Sequence, residues 1–313
     1  MSAPAVSVLL LTLDAMPLLP ELLRRLGEQR IDAEVELVAV DSGSRDGTAE
    51  LLAARVDRLI RIPRERFEHG GTRNLGVEAC SGERVALLVQ DALPASPGWL
   101  AELVAPLGDA RVAGAFSRQI PAPGASALAR HQLAGWVAAD TAPRRVRLSR
   151  QEFAELAPLE RLRACAFDNV SSSLRRAVWH EHPFPETPIA EDVAWGKQVL
   201  LAGFELAYAP ASVVIHSHDR SLRYELARTR LLHAELQRLF GLETVGSLRE
   251  LLRAIGATVP HHVRCLAADA AGGSAAPGEW LRVLGLAGVW PLAQYLGVRR
   301  ARAAGAAARA GVP

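Results

Sequence analysis

An uninterrupted apolar run at residues 85–89 constrains the fold of this chain more than any other feature. Because the run has no polar face, it predicts a strand buried on both sides, as in a parallel sheet covered by helices. Asp91 follows almost at once, and Pro94 ends the extended segment. Ligands bind at the carboxyl ends of strands in open α/β sheets, so Asp91 is either a ligand-binding carboxylate or a turn aspartate that bonds its own backbone.

Two earlier apolar runs, residues 6–11 and 35–40, predict further buried strands with an amphipathic helix between them. Strand, crossover helix and strand together form the βαβ unit of a parallel sheet. Thr12 and Asp14 follow the first run, and Asp41 follows the second. A carboxylate at a strand tip can accept a nucleobase N–H or a ribose hydroxyl, so these side chains are candidate nucleotide contacts.

A glycine pair precedes the next predicted helix. Gly70 and Gly71 would let a ligand approach the backbone, where free N–H groups favour anions. Arg73 lies in the first turn of this helix, where a cation opposes the helix dipole. This placement predicts a phosphate partner for Arg73.

Two further polar clusters occur late in the chain. Glu191 and Asp192 open a predicted helix, so we expect both carboxylates to be ionised near neutral pH, although only one can face a given site. Short strands are predicted at residues 204–208 and 212–215, and the second ends at His216 and His218. In an extended segment these histidines face the same side, which favours a ligand or metal role over a structural one.

Composition argues against several classes of protein. Lysine and arginine total 36 and aspartate and glutamate 34, a near balance that argues against a dedicated nucleic-acid binder. No G-x-G-x-x-G follows the first predicted strand, which argues against a dinucleotide-dependent dehydrogenase. The N-terminus does not resemble a signal peptide, so we expect a cytoplasmic protein. Three widely spaced cysteines imply neither a disulfide framework nor a zinc site: Cys80, Cys165 and Cys265.

Six segments match, in order, motifs of glycosyltransferase family 2. They are VDSGSRDGT at 40–48, FEHGGTRN at 67–74, QDALP at 90–94, NVSSSLR at 169–175, EDVAWG at 191–196 and HSH at 216–218. The chain therefore resembles the rhamnosyltransferase-like members of that family. The resemblance implies an α/β GT-A fold at residues 1–221, with a mostly parallel central sheet flanked by helices. Residues 222–313 would form a helical C-terminal extension.

The resemblance also implies an activity. The chain would be an inverting transferase that moves a sugar, with L-rhamnose from dTDP-rhamnose as a candidate, from a dTDP- or UDP-linked donor to a glycan or lipid-linked acceptor. Mg²⁺ or Mn²⁺ would be the cofactor, and the process would be polysaccharide biosynthesis for the cell envelope. The alternatives are another nucleotide-hexose donor, or a catalytically silent nucleotide-sugar-binding protein.

Residue roles follow from the same resemblance. Asp192 matches the catalytic base, and Asp91 and His216 match the metal ligands. Val89 occupies the first position of the family's DxD motif, so the motif is reduced to one carboxylate. The nucleotide-sugar contacts would be Thr12, Asp14, Asp41, Arg73, Gln90 and Asp91. The residues at the acceptor, or behind the site, would be Asn169, Glu191, Trp195 and His218.

The C-terminal extension has its own pattern. Tryptophans at positions 280 and 290 are followed by the arginine-rich segment 299–302. Aromatic residues flanked by arginines are typical of a helix on a membrane surface, and a plain core helix is equally compatible with the pattern. Peripheral contact with the inner face of the membrane is therefore one expectation for residues 280–302.

Overall fold

The computed structural model describes residues 5–270 and 277–309 of the chain. The chain forms two compact units. The first contains residues up to 122, 136–156 and 163–216, and the second contains residues 123–135, 157–162 and those from 217 onward. The domain boundary expected after residue 221 stays a prediction.

Nine strands of the first unit form one mixed sheet within the described residues. They are β1 Val6–Thr12, β2 Val35–Asp41, β3 Arg58–Arg61, β4 Arg84–Val89, β5 Leu93–Pro94, β6 Val112–Ile120, β7 Arg144–Val146, β8 Ser171–Arg175 and β9 Glu205–Ile215. The sheet order is β3-β2-β1-β4-β8-β6-β9-β5, and β7 also pairs with β9. The βαβ half, β3-β2-β1-β4, is parallel as predicted.

The other half of the sheet is mixed, with β6 and β9 parallel. Strand β8 lies antiparallel between β4 and β6, and β5 and β7 pair antiparallel with β9. The two short strands predicted at residues 204–208 and 212–215 are one strand, β9. Its register against β6 shifts after Ala209, and Pro210, which has no N–H to donate, lies in the shift.

The described residues also contain twelve α-helices. They are α1 Leu19–Gly27, α2 Thr48–Ala53, α3 His69–Ala79, α4 Trp99–Val104, α5 Ala127–Ala134, α6 Arg150–Glu155, α7 Pro158–Ala164, α8 Arg176–Glu181, α9 Glu191–Leu201, α10 Leu222–Phe240, α11 Leu248–Ala270 and α12 Pro277–Arg309.

The core of the first unit lies where the apolar runs predicted it. Every residue of β1 is buried, and Leu10 and Leu88 are at most 1% exposed within one cluster that also includes Trp99. Truncating such a buried leucine to alanine costs about 2–5 kcal/mol. The carboxyl ends of β1, β2 and β4 therefore project from a rigid base.

The second unit is helical. Ala127 and Leu128 of α5 pack with Leu266 of α11 and with Val283 and Leu286 of α12. Helix α12 is long and apolar enough to cross a membrane by length and composition alone, although 39% of its most apolar window is buried in the protein. A helix that packs into a soluble core meets the same criteria.

The two tryptophans of α12 pack within the helical unit. Trp280 and Trp290 pack against the core of the second unit, and Trp290 Nε1 donates a hydrogen bond to Glu225 at 3.0 Å. This packing fits the core-helix alternative, and membrane contact through residues 280–302 stays a prediction. Their large apolar rings are used inside the helical unit, where they gain more contacts than at a surface.

Candidate functional site

The tips of β1 and β2 meet, as their predicted parallel pairing requires. Asp41 is buried and its carboxylate accepts hydrogen bonds from Thr12 Oγ1 at 3.1 Å, from the Gly43 and Ser44 N–H groups at 3.2 and 3.0 Å, and from the Ser44 hydroxyl. A carboxylate has about four acceptor sites, so all of them are used within the chain. Asp41 shapes this loop, and its nucleobase contact stays a prediction.

Asp14 joins the same loop from the other strand. Its backbone is left-handed, with φ of 48°, and its N–H donates to Ser44 Oγ at 2.8 Å. Its carboxylate accepts from the Arg45 N–H at 2.9 Å and pairs with Arg64. The structure thus brings Thr12, Asp14 and Asp41 together around one short loop.

Gln90 fixes the exit of β1 to the exit of β4. Its Oε1 accepts from the Leu13 N–H at 2.6 Å, and its Nε2 donates to the Leu13 carbonyl at 2.9 Å. Both backbone groups lie just beyond strand β1, where no neighbouring strand pairs with them. Gln90 therefore positions the segment in front of Asp91, and a direct sugar contact by Gln90 stays a prediction.

Asp91 faces His216 across the end of the sheet. The carboxylate lies 3.7 Å from His216 Nε2, which is longer than a hydrogen bond. On the other side of the ring, Nδ1 lies 3.0 Å from Gln119 Oε1. Gln119 Nε2 in turn donates to Asp168 at 2.8 Å.

The hydrogen bonds of Gln119 decide the tautomer of His216. An ionised carboxylate can only accept, so the Gln119 amide nitrogen must face Asp168 and its oxygen must face His216 Nδ1. In the neutral ring, Nδ1 then holds the proton, and the lone pair of Nε2 points towards Asp91. Metal-binding histidines are commonly held in this way by a partner on the far ring nitrogen.

This donor set fits a divalent cation. A carboxylate oxygen and an imidazole nitrogen 3.7 Å apart can both reach one ion at about 2.1 Å. His218 belongs to the second unit, where its Nε2 lies 3.4 Å from the Arg220 guanidinium. Its role stays a prediction.

The start of α3 is not an open anion site. The Glu68 side chain caps this helix and accepts the Gly71 N–H, and the Pro185 carbonyl lies against Gly70 where a Cβ would sit. The expected ligand approach at the two glycines is therefore wrong. Another part of the chain uses the space that the missing side chain leaves.

Arg73 is paired inside the protein. Its guanidinium lies 3.0 Å from Glu191, and both side chains are at most 7% exposed. Arg73 also donates to the His69 carbonyl at 3.0 Å. Its Nε is buried without a hydrogen-bond partner among the described residues. The expected phosphate contact of Arg73 therefore stays a prediction, since a carboxylate occupies the guanidinium in this structure.

The pKa values of Glu191 and Asp192 are shifted in opposite directions, which corrects the expectation that the two carboxylates ionise alike. Burial opposes ionisation of Glu191, but the charges of Arg73 and His69 and a 3.1 Å hydrogen bond from Asn169 outweigh it, so the pKa of Glu191 is lowered. Burial and the nearby carboxylates of Glu191 and Asp168 raise the pKa of Asp192 well above its ordinary value. The helix dipole is too weak to reverse this.

Trp195 is a core residue. It is completely buried, with ring centroids 4.5 Å from Phe167 and 5.5 Å from Phe184. Its Nε1 donates to the His182 carbonyl at 2.7 Å. Gly114 on β6 lies beside it, and a Cβ there would lie 2.7 Å from the Phe167 ring, 2.9 Å from the Ser173 carbonyl and 3.0 Å from the indole. This burial fits a Trp195 that lies behind the site, and its part in the acceptor site stays a prediction.

Two polar residues of this site, Asp168 and Gln119, were not predicted from the sequence. Asp168 accepts from Gln119 and from Trp136 Nε1, each at 2.8 Å, and its charge acts on Asp192. It directly precedes Asn169 in a matched motif, which was a usable signal. Gln119 lies near the end of a buried strand, and nothing in its local sequence distinguishes it.

Comparisons with known proteins identify the family. The sequence model described as "Glycosyl transferase family 2" matches residues 7–161. The O-antigen chain rhamnosyltransferase RfbN of Salmonella typhimurium is 31% identical over 249 residues, which are 75% of this chain and 76% of the relative. The O-antigen chain rhamnosyltransferase WbaN of Salmonella anatum is 30% identical over 66% of each chain.

Solved structures share the fold. The mannosyltransferase PcManGT of Pyrobaculum calidifontis, in complex with GDP-mannose and Mn²⁺, aligns with a TM-score of 0.58 at 18% identity over 96% of this chain and 88% of its own. Glucosyl-3-phosphoglycerate synthase of Mycobacterium tuberculosis aligns with a TM-score of 0.56 at 19% identity, over 78% and 83%. This chain therefore belongs to glycosyl transferase family 2, and it is a glycosyltransferase of the GT-A fold.

Proposed function

We propose that this enzyme transfers L-rhamnose from dTDP-rhamnose to a lipid-linked glycan, with inversion at the anomeric carbon. The named activity of both curated relatives supports the sugar and the polysaccharide pathway. The observation that most supports the chemistry is the polar chain from Asp91 through His216 and Gln119 to Asp168, which ends beside Asp192.

In this mechanism Asp192 is the general base. The acceptor hydroxyl loses its proton to the Asp192 carboxylate while its oxygen attacks the anomeric carbon, and the bond to the diphosphate oxygen breaks. A raised pKa makes the ionised form of Asp192 a stronger base towards the acceptor hydroxyl. A single displacement of this kind inverts the anomeric configuration.

Asp91 and His216 would hold the cation, which when bound supplies positive charge to the diphosphate leaving group. One nitrogen ligand favours Mn²⁺ over Mg²⁺, because Mg²⁺ prefers an all-oxygen shell. Gln119 keeps His216 in the tautomer that can bind. Val89 adds no ligand, so affinity for the ion should depend strongly on Asp91.

The test is a donor panel measured by calorimetry with and without Mn²⁺. We expect dTDP-rhamnose to bind more tightly than UDP-glucose or GDP-mannose, Asp91→Asn to abolish the dependence on Mn²⁺, and NMR of the product to show inversion. Asp32→Asn, at an exposed aspartate, is the matched control. Retention of configuration, or donor binding that neither EDTA nor Asp91→Asn changes, contradicts the mechanism. Preference for another donor contradicts only the assignment of rhamnose.

The second candidate function is nucleotide-sugar binding without turnover, and Val89 in the reduced motif is the observation that favours it. The two functions separate in an assay for donor consumption with Mn²⁺ present. Tight donor binding without hydrolysis or transfer, over a panel of glycan acceptors, would favour the silent protein.

We also propose that α12 contacts the cytoplasmic face of the membrane through leucines rather than tryptophans. Leu281, Leu284 and Leu292 are exposed at 73, 46 and 38%, and their spacing places them on one face of the helix. Arg299 and Arg300 are exposed beyond them and would meet anionic lipid headgroups. A lipid-linked acceptor would lie at the same surface.

A further inference from the structure

Three metal-binding side chains of the second unit converge on one point. His131 lies on α5, and His261 and Cys265 lie on α11. The two histidine Nε2 atoms are 2.8 Å apart, and Cys265 Sγ is 3.9 Å from His261 Nε2. All three donor atoms lie within 4.8 Å of one another.

The scaffold under these residues is rigid. His261 and Cys265 are four residues apart, so they lie on one face of α11. His131 is one turn from Leu128, and Cys265 is next to Leu266, and both leucines are buried in the core that joins α5 to α11. Ligands on packed helices hold their geometry better than ligands on loops.

The spacing of the donor atoms fits a tetrahedral ion. Around Zn²⁺, with bonds of about 2.0 Å to nitrogen and 2.3 Å to sulfur, neighbouring donor atoms lie about 3.3–3.6 Å apart. The observed 2.8 and 3.9 Å lie on either side of that range, so small side-chain rotations bring both distances into it.

We propose that His131, His261 and Cys265 bind a transition-metal ion of the Zn²⁺ type, with the fourth position open to solvent. Two imidazoles and a thiolate select such an ion over Mg²⁺ or Mn²⁺, which prefer oxygen. Both histidines are exposed, so the ion has an entry path. The site shares no residue with Asp91 and His216, and it would fasten α5 to α11.

The sequence alone does not predict this site. The spacing of the cysteines alone argued against zinc, and the third ligand is separated from His261 by 130 positions. Only the packing of α5 on α11 brings His131 to the other two residues.

The test uses the full-length protein, stripped of metal and titrated with Co²⁺ as a spectroscopic substitute for Zn²⁺. We expect one equivalent to produce tetrahedral d–d bands and a near-ultraviolet thiolate-to-cobalt band. Burial raises the pKa of the Cys80 and Cys165 thiols to about 12, so the thiolate band reports on Cys265. Cys265→Ser should remove this band.

Matched variants separate this site from others. His131→Ala and His261→Ala should each weaken Co²⁺ affinity by at least about tenfold, while the exposed control His180→Ala on α8 should not. Zn²⁺ should raise the melting temperature of wild type and of Asp91→Asn, but not of Cys265→Ser. A spectrum without the thiolate band overturns the proposal. So does a band that survives both histidine substitutions or that disappears in Asp91→Asn.

Discussion

The Arg73 guanidinium lies 3.0 Å from the Glu191 carboxylate, and this buried pair distinguishes two adjacent acids. The charge of Arg73 outweighs burial and lowers the pKa of Glu191. Burial and the carboxylates of Glu191 and Asp168 raise the pKa of Asp192. Asp192 therefore binds a proton more readily than Glu191 does. The assignment of Asp192 as the base, which the sequence motif suggested, stays a prediction.

We expect Glu191→Gln to lower the free energy of unfolding by about 3 kcal/mol, because it leaves the Arg73 charge buried without a counter-charge. Urea unfolding measures this effect. The double variant Arg73→Met/Glu191→Gln should recover part of the loss, since the unpaired charge is then gone. A Glu191→Gln protein as stable as wild type would show that the pair contributes no net stability.

Asp192→Asn should leave donor affinity unchanged and lower turnover by at least about a hundredfold, the usual size of a general-base effect. Calorimetry and steady-state kinetics measure the two quantities. Asp32→Asn is the matched control for the loss of one carboxylate. Near wild-type turnover in Asp192→Asn, with Glu191→Gln folded but inactive, would assign the base to Glu191.

Asp192 should also make stability depend on pH. Its folded-state pKa is raised above the unfolded value, so the stability that it contributes is present at low pH and is lost as pH rises through the folded pKa. Asparagine cannot ionise, so the melting temperature of Asp192→Asn relative to wild type should increase with pH over that interval. Calorimetric scans at a series of pH values measure it. A difference that is constant with pH would mean that Asp192 is ionised at its ordinary pKa.

Gln119→Met should weaken binding of Mn²⁺ by about ten- to a hundredfold, because it removes the partner that fixes the His216 tautomer. The measurement is Mn²⁺ titration in the presence of dTDP. Gln151→Met, at an exposed glutamine of α6, controls for the substitution itself. Unchanged Mn²⁺ affinity in folded Gln119→Met would remove Gln119 from the site.

Leu281→Glu and Leu284→Glu should each weaken the affinity for anionic liposomes by at least about tenfold, since burying one leucine contributes about 1.5–3 kcal/mol. Sedimentation with the liposomes measures this affinity. Leu75→Glu, at an exposed leucine of α3, is the control. If wild type stays in the supernatant at low salt, α12 is only a packed helix and the proposed membrane contact is wrong.

The sequence by itself determined the parallel half of the sheet. Continuous apolar runs and their helices predicted β1, β2 and β4, and the polar residues after them predicted a shared edge where Thr12, Asp14 and Asp41 meet. These features are local, because an apolar run and the polar residue that ends it lie in one short segment of sequence. The sequence also predicted the helix that begins at Glu191, which is α9.

Only the tertiary structure decided charges and partners. Arg73 and Glu191 are 118 positions apart, Gln119 and His216 are 97 apart, and the indole of Trp195 fills a space that Gly114 leaves open. A pKa depends on burial and on charges that arrive from distant segments, and a metal site depends on atoms that only packing brings together. Neither can be read from one short segment. The sequence identified the two acids, and the fold shifts their pKa values in opposite directions.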